Sequence, residues 1–426
     1  MRVLVVGSGG REHALAWRIA GSPRVERVLA APGSDGMAGV AACFPEVEAG
    51  DADGLAQLAR REAVELVVIG PEAPLAAGVG DRLREAGLAV FGPSGRAARL
   101  ESSKAFAKEF MARHRIPTAA FRVFDRVDEA RRHLGQLDGP CVVKADGLAA
   151  GKGVYVCDAR PDALAAVDEI MAERRFGEAG ARVVIEERLQ GEEVSYYALS
   201  DGEHVLSLAA AQDHKRALDG DRGENTGGMG AYSPTPVLSE AVEKRVLEEV
   251  VHPTIRAMAA EGSPYRGVLY AGLMIEPGGA PKVVEFNVRF GDPETQPLML
   301  RLRSDLVPLL DAAARGDLGR AAAPDFADAA VCVVLASGGY PRDFATGQAI
   351  HGLEEAEGDP DVVVFHAGTR RDARGGFVTA GGRVLGVTAR GAGVREARDR
   401  AYAACDRIRF EGLHLRRDIA ARALAS

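Results

Sequence analysis

Val3-Leu4-Val5-Val6-Gly7-Ser8-Gly9-Gly10-Arg11-Glu12-His13 opens the chain. Four apolar residues in a row, closed by glycines, read as a strand buried on both faces, which is what a parallel sheet requires. Residues 11–20 then place Ala14, Leu15, Ile19 and Ala20 at helical spacing. The same order recurs, with Val25 to Ala30 as a strand, Leu55 to Arg61 as a helix and Leu66 to Ile69 as a strand running into Gly70-Pro71-Glu72. Val79 to Glu85 follows as a helix, and Val90-Phe91 as a strand ending in Gly92-Pro93-Ser94. Strand and helix alternating in this way predict a parallel-sheet α/β domain over roughly the first hundred residues. Ligands of such a sheet belong outside the carboxyl ends of its strands, where these glycine and proline loops lie.

Beyond residue 101 the pattern changes. Glu101 to His114 reads as one helix stopped by Ile116-Pro117. Short strands at 122–124, 141–144 and 154–156, a helix at 161–174 and a strand Val183 to Glu187 suggest a small inserted α+β unit. Residues 194–212 read as antiparallel strands and 239–261 as a long helix. Val268–Ile275 and Lys282–Val288 form a hairpin turned at Pro277-Gly278-Gly279. Leu318 to Phe326 reads as a linker, and strands at 330–336, 362–366 and 383–389 with a helix at 394–408 form a small C-terminal α+β domain.

The length, 426 residues, calls for several cores, and 47% hydrophobic residues are ample to build them. Acidic side chains outnumber basic ones by 61 to 53 and no dense Lys/Arg block occurs, which argues against a nucleic-acid partner. The five cysteines, Cys43, Cys141, Cys157, Cys332 and Cys405, are scattered and odd in number, as buried free thiols would be. No run reaches the ~20 apolar residues of a membrane span, and the N-terminus lacks a signal peptide's apolar stretch. A cytoplasmic enzyme with no membrane partner is expected, monomeric or at most a weak homodimer.

The densest chemistry lies in Lys282-Val-Val-Glu285-Phe-Asn287-Val-Arg289-Phe-Gly-Asp-Pro-Glu294. Strand alternation puts Glu285, Asn287 and Arg289 on one face, with Val284, Phe286 and Val288 toward the core. A carboxylate and an amide oxygen two residues apart suit Mg2+ or Mn2+, which take oxygen ligands and leave room for phosphates. Arg289 can hold a carboxylate or phosphoryl group bidentately. Between two predicted strands, Lys144-Ala-Asp-Gly147-Leu-Ala-Ala-Gly151-Lys152-Gly153 is a glycine-rich hairpin able to close over phosphates. It is not a P-loop, whose spacing and following helix are both missing. Residues 212–233 read as a long polar loop in which Lys215 and Arg216 could meet phosphates and Asp213 an amine, with Asn225-Thr226-Gly227 beside them. In the opening loop, Glu12 replaces the third glycine of a dinucleotide fingerprint and no ribose acid follows the second strand. What remains is a loop of Gly9, Gly10, Arg11 and Glu12 suited to a sugar phosphate, with Pro71-Glu72 near ribose hydroxyls.

Together these segments resemble the ATP-grasp superfamily and, within it, the phosphoribosylamine–glycine ligases. Gly7 to Ala14, Gly70 to Leu75, Lys144 to Gly153, Gln212 to Arg216, Asn225 to Pro234, Glu285 to Gln296, Ser337 to Pro341 and Phe365 to Thr369 carry the likeness, which spans the chain. Ser8 and Val288 depart from many relatives, which have Asn and Cys there. The resemblance implies an N-terminal substrate domain (1–103), an ATP-grasp core (104–120 and 190–327) with an inserted lid (121–189), and a C-terminal domain (328–426). It implies that Lys104 and Lys144 approach ATP together with Gly151, Lys152 and Gly153, that Glu186, Glu187 and Leu189 line the adenine, and that Glu193 takes the ribose hydroxyls. Glu285 and Asn287 would carry the metal, with Glu276 a further candidate, and Asp213 or Asp292 would meet the ammonium of glycine. The implied reaction joins glycine to 5-phosphoribosylamine through glycyl phosphate. A biotin-carboxylase-like ligase, a nicotinamide oxidoreductase and a non-catalytic nucleotide sensor are the competing readings.

Overall fold

The computed structural model describes residues 1–149 and 152–425. Strands β1 (Arg2–Gly7), β2 (Arg27–Pro32), β3 (Ala42–Cys43), β4 (Leu66–Ile69) and β5 (Ala89–Phe91) form the expected parallel sheet in the order β3-β2-β1-β4-β5. Val3, Leu4, Val5 and Val6 in central β1 are fully buried, as a strand covered on both faces must be. The loop after β1 leads into the helix Gly10–Ala20 at the carboxyl edge of this sheet.

The inserted unit is a four-stranded antiparallel sheet of β6 (Phe121–Phe124), β7 (Cys141–Ala145), β8 (Val154–Cys157) and β9 (Val183–Glu187), ordered β6-β9-β7-β8. It has its own apolar core, including Ala130, Leu134, Val143, Ala163 and Ile170. The hairpin between β7 and β8 carries the glycine-rich loop.

The remaining strands are β10 (Glu192–Asp201), β11 (Val205–Asp213), β12 (Arg216–Leu218), β13 (Arg222–Asn225), β14 (Gly230–Ser233), β15 (Arg266–Ile275), β16 (Pro281–Asn287), β17 (Ala329–Ala336), β18 (Val362–His366), β19 (Thr369–Arg371), β20 (Phe377–Thr379) and β21 (Arg383–Gly391). Eight of them make one sheet, β16-β15-β10-β11-β14-β17-β21-β18. The C-terminal α+β unit is therefore not a separate sheet: β14 pairs with β17 from Gly230↔Val333 to Ser233↔Ala330 and carries the sheet across the linker.

Two sequence expectations are corrected. Residues 212–233 are not one polar loop. They form the two-stranded ribbon β12–β13 followed by the short, buried β14, whose Gly- and Ser-containing sequence lacks the usual strand signal. The helix predicted from Glu101 to His114 is broken at Ser103 into Arg99–Ser102 and Lys104–His114. Ser103 caps the second piece by accepting from the Phe106 N–H at 3.1 Å and donates its hydroxyl to Asp146 at 2.9 Å. This break places Lys104 at the start of a helix, against the glycine-rich hairpin.

The N-terminal and C-terminal units meet through His13 and His366. The His366 N–H donates to His13 Nδ1 at 2.9 Å, and the His13 ring packs edge-on against Phe365 at 5.5 Å. Burial, with His366 nearby, holds His13 down to about 3, and burial with Arg371 holds His366 down to about 4. Both rings are neutral in the fold and protonate first in the unfolded chain, near ~6.5. The stability they permit is complete above that pH and is lost as pH falls through 6.5 toward 4, by about 2 kcal/mol for each ring at pH 5. His13→Asn keeps an acceptor near the Nδ1 position without a titrating ring. Its thermal midpoint should be lower than the parent's at pH 8 yet fall less between pH 6.5 and 4.5. An unaltered slope would remove His13 from this contact's pH response.

Candidate active site

Strand β16 holds the polar stretch singled out in the sequence, with one change in phase. Its pairing with β15 runs Leu273↔Val283 and then Gly272↔Glu285, so Val284 is the extra residue of a β-bulge. Val283, fully buried, takes the core position expected for Val284, which is partly exposed. The bulge frees backbone groups toward the inserted unit. The Val283 N–H donates to the Pro117 carbonyl at 2.8 Å, the Thr118 hydroxyl to the Val283 carbonyl at 2.6 Å, and Lys144 Nζ to the Val284 carbonyl at 3.1 Å. The chain thus enters the inserted sheet fastened to the strand that bears Glu285.

Glu285 is partly buried and makes no hydrogen bond or ion pair with the described residues, yet cations surround it. Burial alone would raise its carboxyl; Lys215, Lys144, Lys104 and Arg289 outweigh that and hold it below the usual range. Asn287 Oδ1 accepts from Arg289 Nη2 at 3.1 Å and keeps a second lone pair. Among the described residues no three His, Cys, Asp or Glu cluster as a ready metal cage. A directly unpartnered carboxylate beside an amide oxygen fits a divalent cation that shares its remaining sites with phosphate and water. Glu276 lies in the turn of the hairpin, paired with Lys282 at 2.8 Å, about four residues or ~13 Å along the strand from the partner of Glu285. It does not converge on this site.

The lysines are held by neighbours rather than free. Lys104 donates to the Gly147 carbonyl at 3.2 Å, and burial lowers its pKa against the pull of Glu285. Glu186, a buried residue of β9 in the inserted sheet, is gripped by Lys144 on one oxygen and by Lys108 at 2.5 Å on the other. Burial pushes Lys108 down to about 8, and its ammonium also donates to Thr118 at 2.7 Å. Lys215 pairs with Glu193 and lies 3.7 Å from Asp213, whose carboxyl burial raises to about 7 despite Lys215. Glu187 and Lys152 are exposed and Leu189 partly so, while Gly153 is buried against Ala145 and Ala149. Gly151 lies outside the described residues.

Arg289 lies two residues past the end of β16 and is the hub of the site. Its Nε donates to Glu72 at 3.2 Å, Nη2 to Asn287 at 3.1 Å and Nη1 to the Phe290 carbonyl at 3.3 Å, and Nη2 forms an ion pair with Glu101 at 2.8 Å. Three of its five N–H groups donate to protein acceptors and Nη2 also faces the Glu101 carboxylate, which leaves an N–H open on Nη1. Burial opposes its charge, but Glu101 and Glu72 raise its pKa further above the ordinary range. Glu101 also accepts from the Val288 N–H at 2.8 Å, so one buried carboxylate fixes both the strand end and the guanidinium.

The opening glycine loop packs onto this hub. Glu12 takes the space of the missing third glycine, accepting from the Gly9 N–H at 2.7 Å and from Arg11 Nε at 2.5 Å. A Cβ on Gly7, where φ is +123°, would lie 2.6 Å from Glu12 Cγ, so glycine is required there. Arg11 is held by Glu12 and by the Phe290 carbonyl, to which its Nη1 donates at 3.2 Å, and lies 3.8 Å from Glu72, so its Nη2 is the group without a hydrogen-bond partner among the described residues. A Cβ on Gly10 would lie 2.9 Å from Gln296 Nε2 and 3.7 Å from Asp292 Oδ1, which places Asp292 beside this loop. Arg383 pairs with Asp292 at 3.3 Å and donates to the Gly227 carbonyl at 2.7 Å, while the Gly227 N–H donates to the Tyr340 hydroxyl at 3.0 Å. Thr226 is tied back to the Lys215 carbonyl at 2.9 Å. Pro71 caps the short helix that begins at Glu72, and Asn225 ends β13.

Comparison with known proteins matches three successive family models of phosphoribosylglycinamide synthetase: the N domain over residues 1–101, the ATP-grasp (A) domain over 102–295 and the C domain over 330–422. The chain belongs to the phosphoribosylglycinamide synthetase family. It is 55% identical to the phosphoribosylamine–glycine ligase of Pseudomonas aeruginosa, an alignment covering 100% of this chain and 99% of that one. The ligase of Caulobacter vibrioides is also 55% identical, with the same coverage. The crystal structure of the Thermotoga maritima phosphoribosylamine–glycine ligase superposes with a TM-score of 0.87 at 35% identity, over 99% of this chain and 100% of that one. A biotin carboxylase from Campylobacter jejuni shares the fold, with a TM-score of 0.73 at 14% identity over 97% and 92% of the two chains.

The multidomain α/β architecture expected from the sequence is the family's. Several residues of the site were not singled out beforehand. Glu101 and Arg383 sit in helix or strand patterns where a charged residue signals nothing, and Glu294 is buried under Tyr270, whose hydroxyl donates to it at 2.9 Å. A charged residue at an otherwise core position, as Lys108 is in its helix, was the one usable signal.

Proposed function

We propose that this chain joins glycine to 5-phosphoribosylamine with cleavage of ATP to ADP and phosphate, the glycinamide ribonucleotide-forming step of purine biosynthesis, and that it does so at the Arg289 hub. The observation that carries this placement is Glu285 with Asn287 and Arg289 on one strand end, faced by Lys104 and Lys144 from the lid side and Lys215 from the ribbon side. Nucleotide would lie between the inserted lid and the large sheet. Lys104, Lys144, Lys152 and Gly153 would meet its phosphates, Glu186, Glu187 and Leu189 its base, and Glu193 its ribose. Glu285 and Asn287 would hold Mg2+ or Mn2+, which supplies neutralisation of phosphate charge as ADP departs.

The chain's own residues then do the positioning. A carboxylate is a poor acylating agent, so the carboxylate oxygen of glycine attacks the γ-phosphorus and ADP leaves, giving glycyl phosphate. The open N–H of Arg289 and the ammonium of Lys215 bear on the charge shared between glycine and the γ-phosphate. Asp213 faces the ammonium of glycine. Asp292, beside Gly9, Gly10 and Arg383, belongs to the sugar side with Arg11, Glu72, Asn225, Thr226 and Gly227. The amine of phosphoribosylamine attacks the acyl carbon, phosphate leaves and the amide nitrogen loses a proton. A closed lid keeps water from the acyl phosphate.

Coupled detection of ADP tests this with phosphoribosylamine formed in place from ribose 5-phosphate and ammonia. ADP release should require glycine and the sugar amine together. Equal release without glycine overturns the assignment.

A further inference from the structure

The ribbon β12–β13 brings Lys215 and Thr226 to the site, yet its outer end is held by the last residues of the chain. Arg416, almost 200 residues away in sequence, is the largest fully buried side chain in the protein, at 1% exposure. Its Nε and Nη2 donate to the two oxygens of Asp418, both at 2.8 Å, and its Nη1 donates to Asp221 at 2.8 Å and to the Arg216 carbonyl at 3.1 Å. Asp418 in turn accepts from the Gly220 N–H at 2.8 Å, and the Arg417 N–H donates to Asp219 at 2.8 Å. His414 bonds the Ala217 carbonyl through Nε2 at 2.8 Å, and Arg422 pairs with Asp221 at 2.8 Å. Every residue from 216 to 221 except Leu218 is thus bonded to the segment 414–422 through backbone or side chain.

The ribbon's other ties lie at exposed positions: Arg216 Nη1 donates to the Gly223 carbonyl at 2.8 Å, Arg222 Nε to the Asp219 carbonyl at 3.1 Å, and Glu224 pairs with Arg342 at 2.7 Å. The ribbon is two short strands with an irregular register between Arg216 and Leu218, joined by a tight turn in which Gly220 and Asp221 take positive φ, +70° and +54°. His214, between Asp213 and Lys215, is buried with neither ring nitrogen hydrogen-bonded, while its N–H donates to the Gly230 carbonyl at 2.9 Å and its carbonyl accepts from the Met229 N–H at 2.8 Å. An isolated two-stranded hairpin is marginal in water. A buried guanidinium that binds a carboxylate bidentately and a backbone carbonyl sets position as well as attraction.

We propose that residues 414–422 are a latch on the active-site ribbon and that Arg416 is a positioning residue for Lys215 and Thr226. Lys215 is joined to Arg216 directly, and Thr226 is tied to the Lys215 carbonyl, so a shift of the Arg216 carbonyl reaches both. The inference rests on the proposed place of Lys215 in the reaction. Loss of the latch lowers turnover through geometry and spares the base and lid contacts of ATP, which lie on other elements, so the affinity for ATP changes little.

The test compares Arg416→Ala, Arg416→Lys, Asp418→Asn and Lys215→Ala in the full chain. Arg416→Ala should lower kcat by about 10- to 100-fold, as expected for a misplacement of order 1 Å, with KM for ATP within about twofold. Guanidinium ion at millimolar concentration should restore part of that kcat, and sodium chloride of equal ionic strength should not. Arg416→Lys, which keeps the charge but not the fork, should remain impaired. Should Arg416→Ala fail to fold, Asp418→Asn, which removes one carboxylate charge at a partly exposed position, carries the same prediction at smaller size. If Lys215→Ala is impaired while the Arg416 and Asp418 variants lose only thermal stability, the latch is overturned and the site reading stands. If Lys215→Ala has normal kinetics, the ribbon is not part of the reaction and the latch falls with it.

Discussion

Glu285→Ala should lower turnover at least ~100-fold, the order seen when one electrostatic element of a transferring group is removed, while its melting temperature stays close to the parent's. The two halves of that result follow from the same geometry. Glu285 has no direct hydrogen bond or ion pair to lose, and the lysines around it keep other partners: Lys144 on Glu186, Lys215 on Glu193, Lys104 on the Gly147 carbonyl. The fold therefore survives the substitution. The site does not, because the carboxylate is the anionic member of the pair offered to a divalent cation, and Asn287 alone offers a neutral oxygen that already accepts from Arg289. Without it, Lys104, Lys144 and Lys215 leave a strongly positive pocket that would hold nucleotide phosphate too tightly and in the wrong place. Steady-state rates across a range of Mg2+ concentrations, beside a thermal melt, measure both halves. Near-normal turnover at low Mg2+ would take Glu285 out of the metal site.

How much of this was legible in the chain differs by element. Val3 to Val6 announced a parallel strand because four consecutive apolar residues can be buried only between two covered faces, and all four are. The Glu285, Asn287 and Arg289 trio was legible because polar residues at period two on a strand otherwise apolar have few structural uses. Periodicity broke down at the bulge. Val283 and Val284 are chemically alike, so the sequence could not show which one is inserted, and the core assignment slipped by one residue. The ribbon was not legible because Arg216 to Asn225 carries no apolar alternation and its outer end is bonded to residues 414–422, almost 200 residues away in the chain. Glu101 was invisible for the same reason: its partners, Arg289 and the Val288 N–H, are distant in sequence.

That last contact sets up the second large effect. Arg289→Lys keeps one positive charge and should still lose kcat/KM by about 100-fold or more, because the guanidinium serves four partners in four directions. Its Nη2 spans Glu101 and Asn287, Nε reaches Glu72 across the domain boundary, and Nη1 holds the Phe290 carbonyl and keeps one N–H open. An ammonium has three donors on one atom, so it cannot serve all four partners, and any donor turned to substrate leaves a further partner unmet. The carboxylate most exposed to the loss is Glu101, whose side chain is 7% accessible. Left with only the Val288 N–H, it would be driven toward protonation, and a broken buried pair costs about 3–5 kcal/mol. Stability should therefore fall with activity in Arg289→Lys, in contrast to Glu285→Ala. Glu101→Gln separates the contributions: it removes the buried charge and leaves Arg289 its tie to Glu72, so it should retain more activity than Arg289→Lys. A kcat/KM for Arg289→Lys within about threefold of the parent would show that charge alone suffices, and would remove the directional role assigned to this guanidinium.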